Sequence, residues 1–137
     1  MSKNVISRES AEEQIDVLLE YYDLDDDDIG NAEKESGLDM TKHKLIKHIM
    51  KGRLEISESE DGLSVIQHLR SGKEDMTYQE ICGRHKIQMK NNSQDDWFGK
   101  MYSLIGSMTG VGSKAIENLK GVDMSVCECL GAIFLNV

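Results

Sequence analysis

Arg53-Leu54-Glu55-Ile56-Ser57-Glu58-Ser59-Glu60-Asp61-Gly62-Leu63-Ser64-Val65-Ile66-Gln67-His68-Leu69 carries the clearest β pattern in this 137-residue chain. Apolar and polar residues alternate over 53–57, the period of a strand with one face buried. Glu60-Asp61-Gly62 is a turn signal, and 63–69 is compatible with a second strand, so 53–69 predicts a β-hairpin pivoting on Asp61-Gly62. Ser71-Gly72 ends it.

Outward from the hairpin the period changes from two to 3.6. On its N-terminal side a helix is expected from Asp39 or Met40 to Lys51, burying Leu45, Ile46, Ile49 and Met50, with Gly52 as its stop. On its C-terminal side, residues 76–90 predict a short helix followed by irregular or extended chain, using Met76, Tyr78, Ile81, Ile87 and Met89. Asn91-Asn92-Ser93 is a loop and cap signal, and a helix over about 94–109 should bury Trp97, Met101, Leu104, Ile105 and Met108. Thr109-Gly110-Val111-Gly112 breaks it; Ser113 then caps a short helix through Lys120, and Asp123 caps a last one with Val126, Cys127, Leu130, Ile133 and Phe134 apolar. The fold class expected is mostly α, an α+β domain with one small hairpin.

At the N-terminus a helix over about 9–22 is expected, with Ser10 and Glu13 at capping-box spacing and Ile15, Leu18, Leu19 and Tyr22 as its apolar stripe. It stops before Asp25-Asp26-Asp27-Asp28, where like charges crowd, and an exposed linker is expected from there to Gly37. The chain holds 16 basic and 25 acidic residues, a net charge of −9. Residues 1–39 contain thirteen of the acidic residues and three of the basic ones, so the remainder is close to neutral. The division expected is an acidic helix and linker over 1–38 and a single helical domain over 39–137.

The charge balance argues against a protein built on a global basic face for nucleic acid. No apolar run approaches the roughly 18 residues that span a bilayer. Met1-Ser2-Lys3-Asn4-Val5 has no signal-like apolar region, so the cytosol is the expected location. Three cysteines do not suggest a disulfide scaffold.

Several motifs invite chemistry and fall short of it. From Asp23, the acidic run places Asp23, Asp25 and Asp27 at the first, third and fifth positions of a calcium loop, but Asp28 stands where glycine must turn and Lys34 where a bidentate glutamate is needed. Cys127 and Cys129 are two apart, a spacing that faces different sides of a helix, so buried structural cysteines are expected and no metal. His43 and His48 lack a carboxylate at helical spacing, and His85 lies near Cys82 as a base lies near a nucleophile, with no orienting third group or oxyanion motif evident. Gly110-Val111-Gly112-Ser113-Lys114 lacks the order of a phosphate-binding loop. Lys42, Lys44, Lys47, Lys51 and Arg53 form a basic helix face that reads as solvated, or as paired with the acidic segment. No catalytic residue and no cofactor are expected.

Met101-Tyr102-Ser103-Leu104-Ile105-Gly106-Ser107-Met108-Thr109-Gly110-Val111, then Ala115-Ile116-Glu117-Asn118-Leu119, Val122-Asp123-Met124 and Cys127-Glu128-Cys129-Leu130-Gly131-Ala132-Ile133-Phe134-Leu135 form a further pattern. It resembles the end of small tail assembly chaperones of long-tailed bacteriophages: a helix, a break, a short helix reaching a leucine, an aspartate-capped helix and a final Phe-Leu. Met108-Thr109-Gly110 departs from the family's usual leucine at the break. The segment Lys44-Leu45-Ile46-Lys47-His48-Ile49-Met50-Lys51-Gly52-Arg53-Leu54 is also similar to small phage tail proteins. The resemblance implies a non-enzymatic protein of the infected bacterial cytoplasm that binds the tape measure protein, keeps its long helices soluble and helps recruit tail tube protein.

Eight methionines suit that role as adaptable apolar contact surface, and Met101 and Met108, seven apart, share a face. Trp97, Met101, Leu104 and Met108 are the expected partner-binding residues, with Asp25, Asp26, Asp27 and Asp28 as an acidic arm that steers basic clients. Two other functions fit the same residues: a virion structural subunit such as a tail terminator or connector, and an acidic, phosphate-mimicking inhibitor of a host nucleic-acid-binding enzyme. The homo-oligomeric state stays open.

Overall fold

The computed structural model describes residues 5–24, 37–70, 73–90 and 96–137, with the side chains of 37–39 outside the description. Asp25 to Asp28, the rest of the expected linker to 36, Ser71-Gly72 and the Asn91-Asn92-Ser93 cap signal all lie outside the described residues. Elements run α1 (Arg8–Tyr21), α2 (Gly37–Met50), β1 (Leu54–Ser59), β2 (Gly62–Gln67), β3 (Met76–Tyr78), α3 (Gly83–Ile87), α4 (Trp97–Thr109), α5 (Ser113–Glu117) and α6 (Val122–Phe134). The chain is therefore an α+β domain with six helices and one sheet among the described residues, as its patterning implied.

The strands form one antiparallel sheet in the order β1-β2-β3. Its register aligns two rows across the buried face, Leu54–Gln67–Met76 and Ile56–Val65–Tyr78, all six less than 6% exposed. Glu55, Ser57 and Thr77 alternate onto the exposed face. The hairpin loop is Glu60-Asp61, between paired Ser59 and Gly62, so the pivot lies one residue earlier than expected. Gly62 takes φ 114°, while Glu60 and Asp61 stay at negative φ. The glycine thus supplies the one conformation that a side chain would strain.

The third strand replaces the expected short helix at 76–78, and the helix falls later, at α3. Three residues leave no room for a visible period, and sheet pairing with β2 decides their state. Three caps also move. Ser7 rather than Ser10 caps α1, its Oγ accepting from the Ser10 amide at 3.1 Å. Gly112 and Gly121 occupy the cap positions of α5 and α6. Asp123 instead lies inside the first turn of α6, 5% exposed, where its carboxylate accepts from the Arg70 amide and faces the Arg70 guanidinium.

Helix α1 packs against α2 and β1, and Ala11, Ile15, Leu18 and Leu19 join the same core as Leu45, Leu104, Leu130 and Phe134. The helix of the expected acidic segment 1–38 thus buries its stripe on α2 and the sheet, because an amphipathic helix of this length is stabilised by packing its apolar face. A polar network crosses the interior at Gln67, 1% exposed. Its Nε2 donates to the Asp123 carbonyl at 2.9 Å, and its Oε1 accepts from Tyr78 Oη at 2.7 Å and Cys127 Sγ at 3.3 Å. The sheet is thereby fastened to the start of α6.

Candidate functional site

Helix α4 has two sides with different work. Met101, Leu104, Ile105 and Met108 are fully buried against the core. The Met101 side chain fills the notch left by Gly131 on α6, where an added Cβ would stand 2.1 Å from Met101 Cγ. Of the four expected partner-binding residues, Met101, Leu104 and Met108 are thus 0% exposed, and only Trp97, at 43%, reaches solvent. The same figure corrects the expectation that Trp97 is buried. It sits in the first turn, ahead of the part of α4 that meets α6, so the apolar stripe continues into solvent there.

That first turn builds an aromatic corner. Asp96 caps α4, its Oδ1 accepting from the Gly99 amide at 2.9 Å. Trp97 and Phe98 follow, and Phe98 is 55% exposed. Their rings meet edge-to-face at 4.9 Å between centroids, and Phe98 meets Tyr102, one turn on, at 6.1 Å. Tyr102 Oη donates to Glu128 Oε2 at 3.2 Å, tying the corner to α6. Partial burial and the Glu128 carboxylate raise the Tyr102 pKa, so the phenol stays a donor.

Beside these rings lies a depression of about 340 Å3, lined by Asp96, Phe98, Gly99, Tyr102, Ser103, Ser113 and Glu117. Two aromatic rings and two carboxylates suit a side chain with an apolar stem and a cationic head, an arginine or a lysine. A second depression, about 480 Å3, shares Ser103 and Ser113 and continues along Gly106, Ser107, Gly110 and Gly112. Ser103, Gly106, Ser107 and Gly110 recur at helical spacing on the side of α4 away from the core, and at Gly106 the backbone of Gly112 and Ser113 closes in, so the depression lies around that contact. The two depressions form one trough along this helix, open to a partner's side chains or helix. Sequence reading missed it because the apolar stripe on the opposite side dominated the pattern.

The other candidates fall elsewhere. On the basic face of α2, Lys44 and Lys47 are exposed and Lys42, Lys51 and Arg53 half-buried. Arg53 Nη1 donates to His48 Nδ1 at 3.1 Å, and His48 Nε2 meets Ser125 Oγ at 3.2 Å. Burial, then Arg53, Lys47 and Lys44, lower the His48 pKa to about 4, so it is a neutral core histidine. Cys127 and Cys129 are buried, and burial pushes the Cys127 thiol up to about 11. His68 bridges Glu55 and Asp75, each at 3.0 Å; burial opposes its protonation, but these carboxylates outweigh it and raise its pKa. Among the described residues, no three His, Cys, Asp or Glu side chains converge as metal ligands, and no helix is long and apolar enough to cross a membrane. Cys82 and His85 do meet, as a capping box at the start of α3: His85 Nδ1 accepts from the Cys82 amide at 3.1 Å, and Nε2 faces Gln79 Oε1 at 3.3 Å.

No protein-family model, curated protein or solved structure matches the chain.

Proposed function

We propose that this chain is a non-enzymatic protein-binding module, a phage tail assembly chaperone whose client is the tape measure protein and which also meets tail tube protein in the infected host's cytoplasm. The observation that carries the protein-binding reading is the exposed pair Trp97 and Phe98, of which Phe98 lines a depression that also holds the carboxylates of Asp96 and Glu117. Exposed aromatics at a concave site have the composition of interface hot spots. A helical client lies along α4 in this reading, its apolar residues on Trp97 and Phe98 and a basic side chain between Asp96 and Glu117. The client's identity rests on the C-terminal resemblance alone. Relative to the expected set, the contact residues become Trp97, Phe98 and Tyr102, with Met101, Leu104 and Met108 supporting them from beneath.

Co-expression with a tape measure protein tests the proposal. A soluble complex is expected, lost in the Trp97→Ser/Phe98→Ser double variant while circular dichroism stays unchanged. A tape measure protein that remains insoluble beside this chain overturns the client, and so does recovery of the chain from purified virions. A complex that tolerates the double variant overturns the surface.

A further inference from the structure

His68 follows β2 directly, and its ring bridges two carboxylates from different parts of the chain. Nε2 stands 3.0 Å from Glu55 Oε1 on β1, and Nδ1 stands 3.0 Å from an Asp75 carboxylate oxygen just ahead of β3. A carboxylate only accepts, so both contacts are hydrogen bonds only when both ring nitrogens carry protons. The neutral ring has a single N–H and turns a lone pair toward one of the two carboxylates. The arrangement is therefore that of an imidazolium held by two charge-assisted bonds. Nearby cations are engaged elsewhere: Arg53 Nη1 donates to His48 Nδ1, and the Arg70 guanidinium donates to the Lys120 carbonyl and faces Asp123. Lys73 and Glu74, both exposed, are the remaining charged residues on the described part of the connection to β3. Burial of the ring opposes its charging, but Asp75 and Glu55 outweigh it and hold the pKa above the usual 6.5.

The position of this bridge matters to the sheet. Strand β3 has three residues, and its last pair with β2 is Gln67 opposite Met76, so His68 and Asp75 are next in register. Beyond the other end of β3, the Gln79 amide donates to the Met108 carbonyl at 2.9 Å. The His68 bridge is the matching fastening at the near end.

We infer that His68 is a pH-sensitive clamp: protonated, it holds Glu55 and Asp75 together across the end of the sheet, and loss of its proton frees the near end of β3. Because the pairing favours the charged ring, the clamp is complete below about pH 6.5 and is lost as pH rises through the folded value. Once freed, Met76 no longer covers the backbone of Gln67, and β2 presents an unpaired edge there. The direction is opposite to that of His48, whose pKa of about 4 keeps it neutral throughout this range. None of the clamp residues lines the α4 trough, so the inference does not rest on the protein-binding reading.

The test is an NMR titration of the full chain at low salt, from about pH 5.5 to about pH 9, following the His68 ring and the Met76 amide together. A His68 midpoint above 6.5 is expected. Exchange of the Met76 amide, corrected for its intrinsic pH dependence, should rise about threefold across that midpoint, the scale of an exposed ion pair. Asp75→Asn removes one charge and leaves an amide that can donate to or accept from the ring in either state. It should lower the His68 midpoint and remove the step in Met76 exchange, a paired result that an unconnected surface histidine would not give. A midpoint at or below 6.5 in the unaltered chain, a midpoint unmoved in Asp75→Asn, or Met76 exchange without a step would each overturn the inference. Should Asp75→Asn fail to fold, Glu55→Gln decides, with the same lowering of the midpoint expected, since the Glu55 side chain is 65% exposed.

Discussion

Gly106→Ala sets two well-calibrated effects against each other. Within a helix interior, alanine is favoured over glycine by about 1 kcal/mol, so propensity alone predicts stabilisation. At this position an added Cβ would stand 2.4 Å from the Gly112 carbonyl carbon, 2.5 Å from the Ser113 nitrogen and 2.8 Å from the Gly112 oxygen. All three are backbone atoms, so no side chain can swing aside. The loop between α4 and α5 must move outward, straining the bond from the Gly112 amide to the Gly106 carbonyl at 3.0 Å and lifting fully buried Ile116 from its seat. Overpacking against rigid walls costs about 3 kcal/mol, the upper part of its usual range, and the hydrogen bond adds about 1 kcal/mol. Less the propensity gain, Gly106→Ala should destabilise by about 3 kcal/mol, read by urea unfolding with the single tryptophan, Trp97, as fluorophore. Gly83→Ala is the control, because nothing lies within 4 Å of its added Cβ, and it should be neutral within about 0.5 kcal/mol. An unchanged or more stable Gly106→Ala variant would refute the close approach of α4 and α5 and the shape of the trough they bound.

Three further outcomes are expected. Met101→Ala should cost about 2–5 kcal/mol in chemical unfolding because that side chain is fully buried, while exposed Phe98→Ala should stay within about 1 kcal/mol. Gln67→Leu keeps the volume but leaves Tyr78 Oη only the weak Cys127 Sγ acceptor at 3.4 Å and removes the side-chain donor to the Asp123 carbonyl, and should lower stability by about 1–2 kcal/mol. His48 has a folded pKa of about 4 against 6.5 in the unfolded chain, so the unfolded state binds more protons between those values. Its contribution is complete above pH 6.5 and fades as pH falls toward 4; allowing for solvent at the ring edge, about 2 kcal/mol should vanish, and His48→Gln should flatten that part of the stability curve.

The strongest sequence signals were those tied to burial. Leu54 and Ile56 alternate with Glu55 and Ser57, and Leu45, Ile46 and Ile49 recur at helical spacing, so the hairpin and α2 were legible. Met76-Thr77-Tyr78 was not, because a three-residue strand exists only through its partner. The caps erred where a second polar residue lay nearby: Ser7 and Ser10 compete for one helix start, and the Asp123 carboxylate is drawn to Arg70. A periodic stripe names the apolar residues without saying where the neighbouring helix ends, which is why Trp97 was placed inside. Gln79 lies six residues before His85, a spacing no local rule connects, and only the turn between β3 and α3 brings them together.

Hydrogen exchange on the full chain, alone and with a tape measure protein bound, most directly tests the protein-binding account. New protection confined to the first half of α4 and to α5, around Trp97, Phe98, Tyr102 and Glu117, is predicted. Protection on the lysine face of α2 instead, or none in any segment, would contradict it.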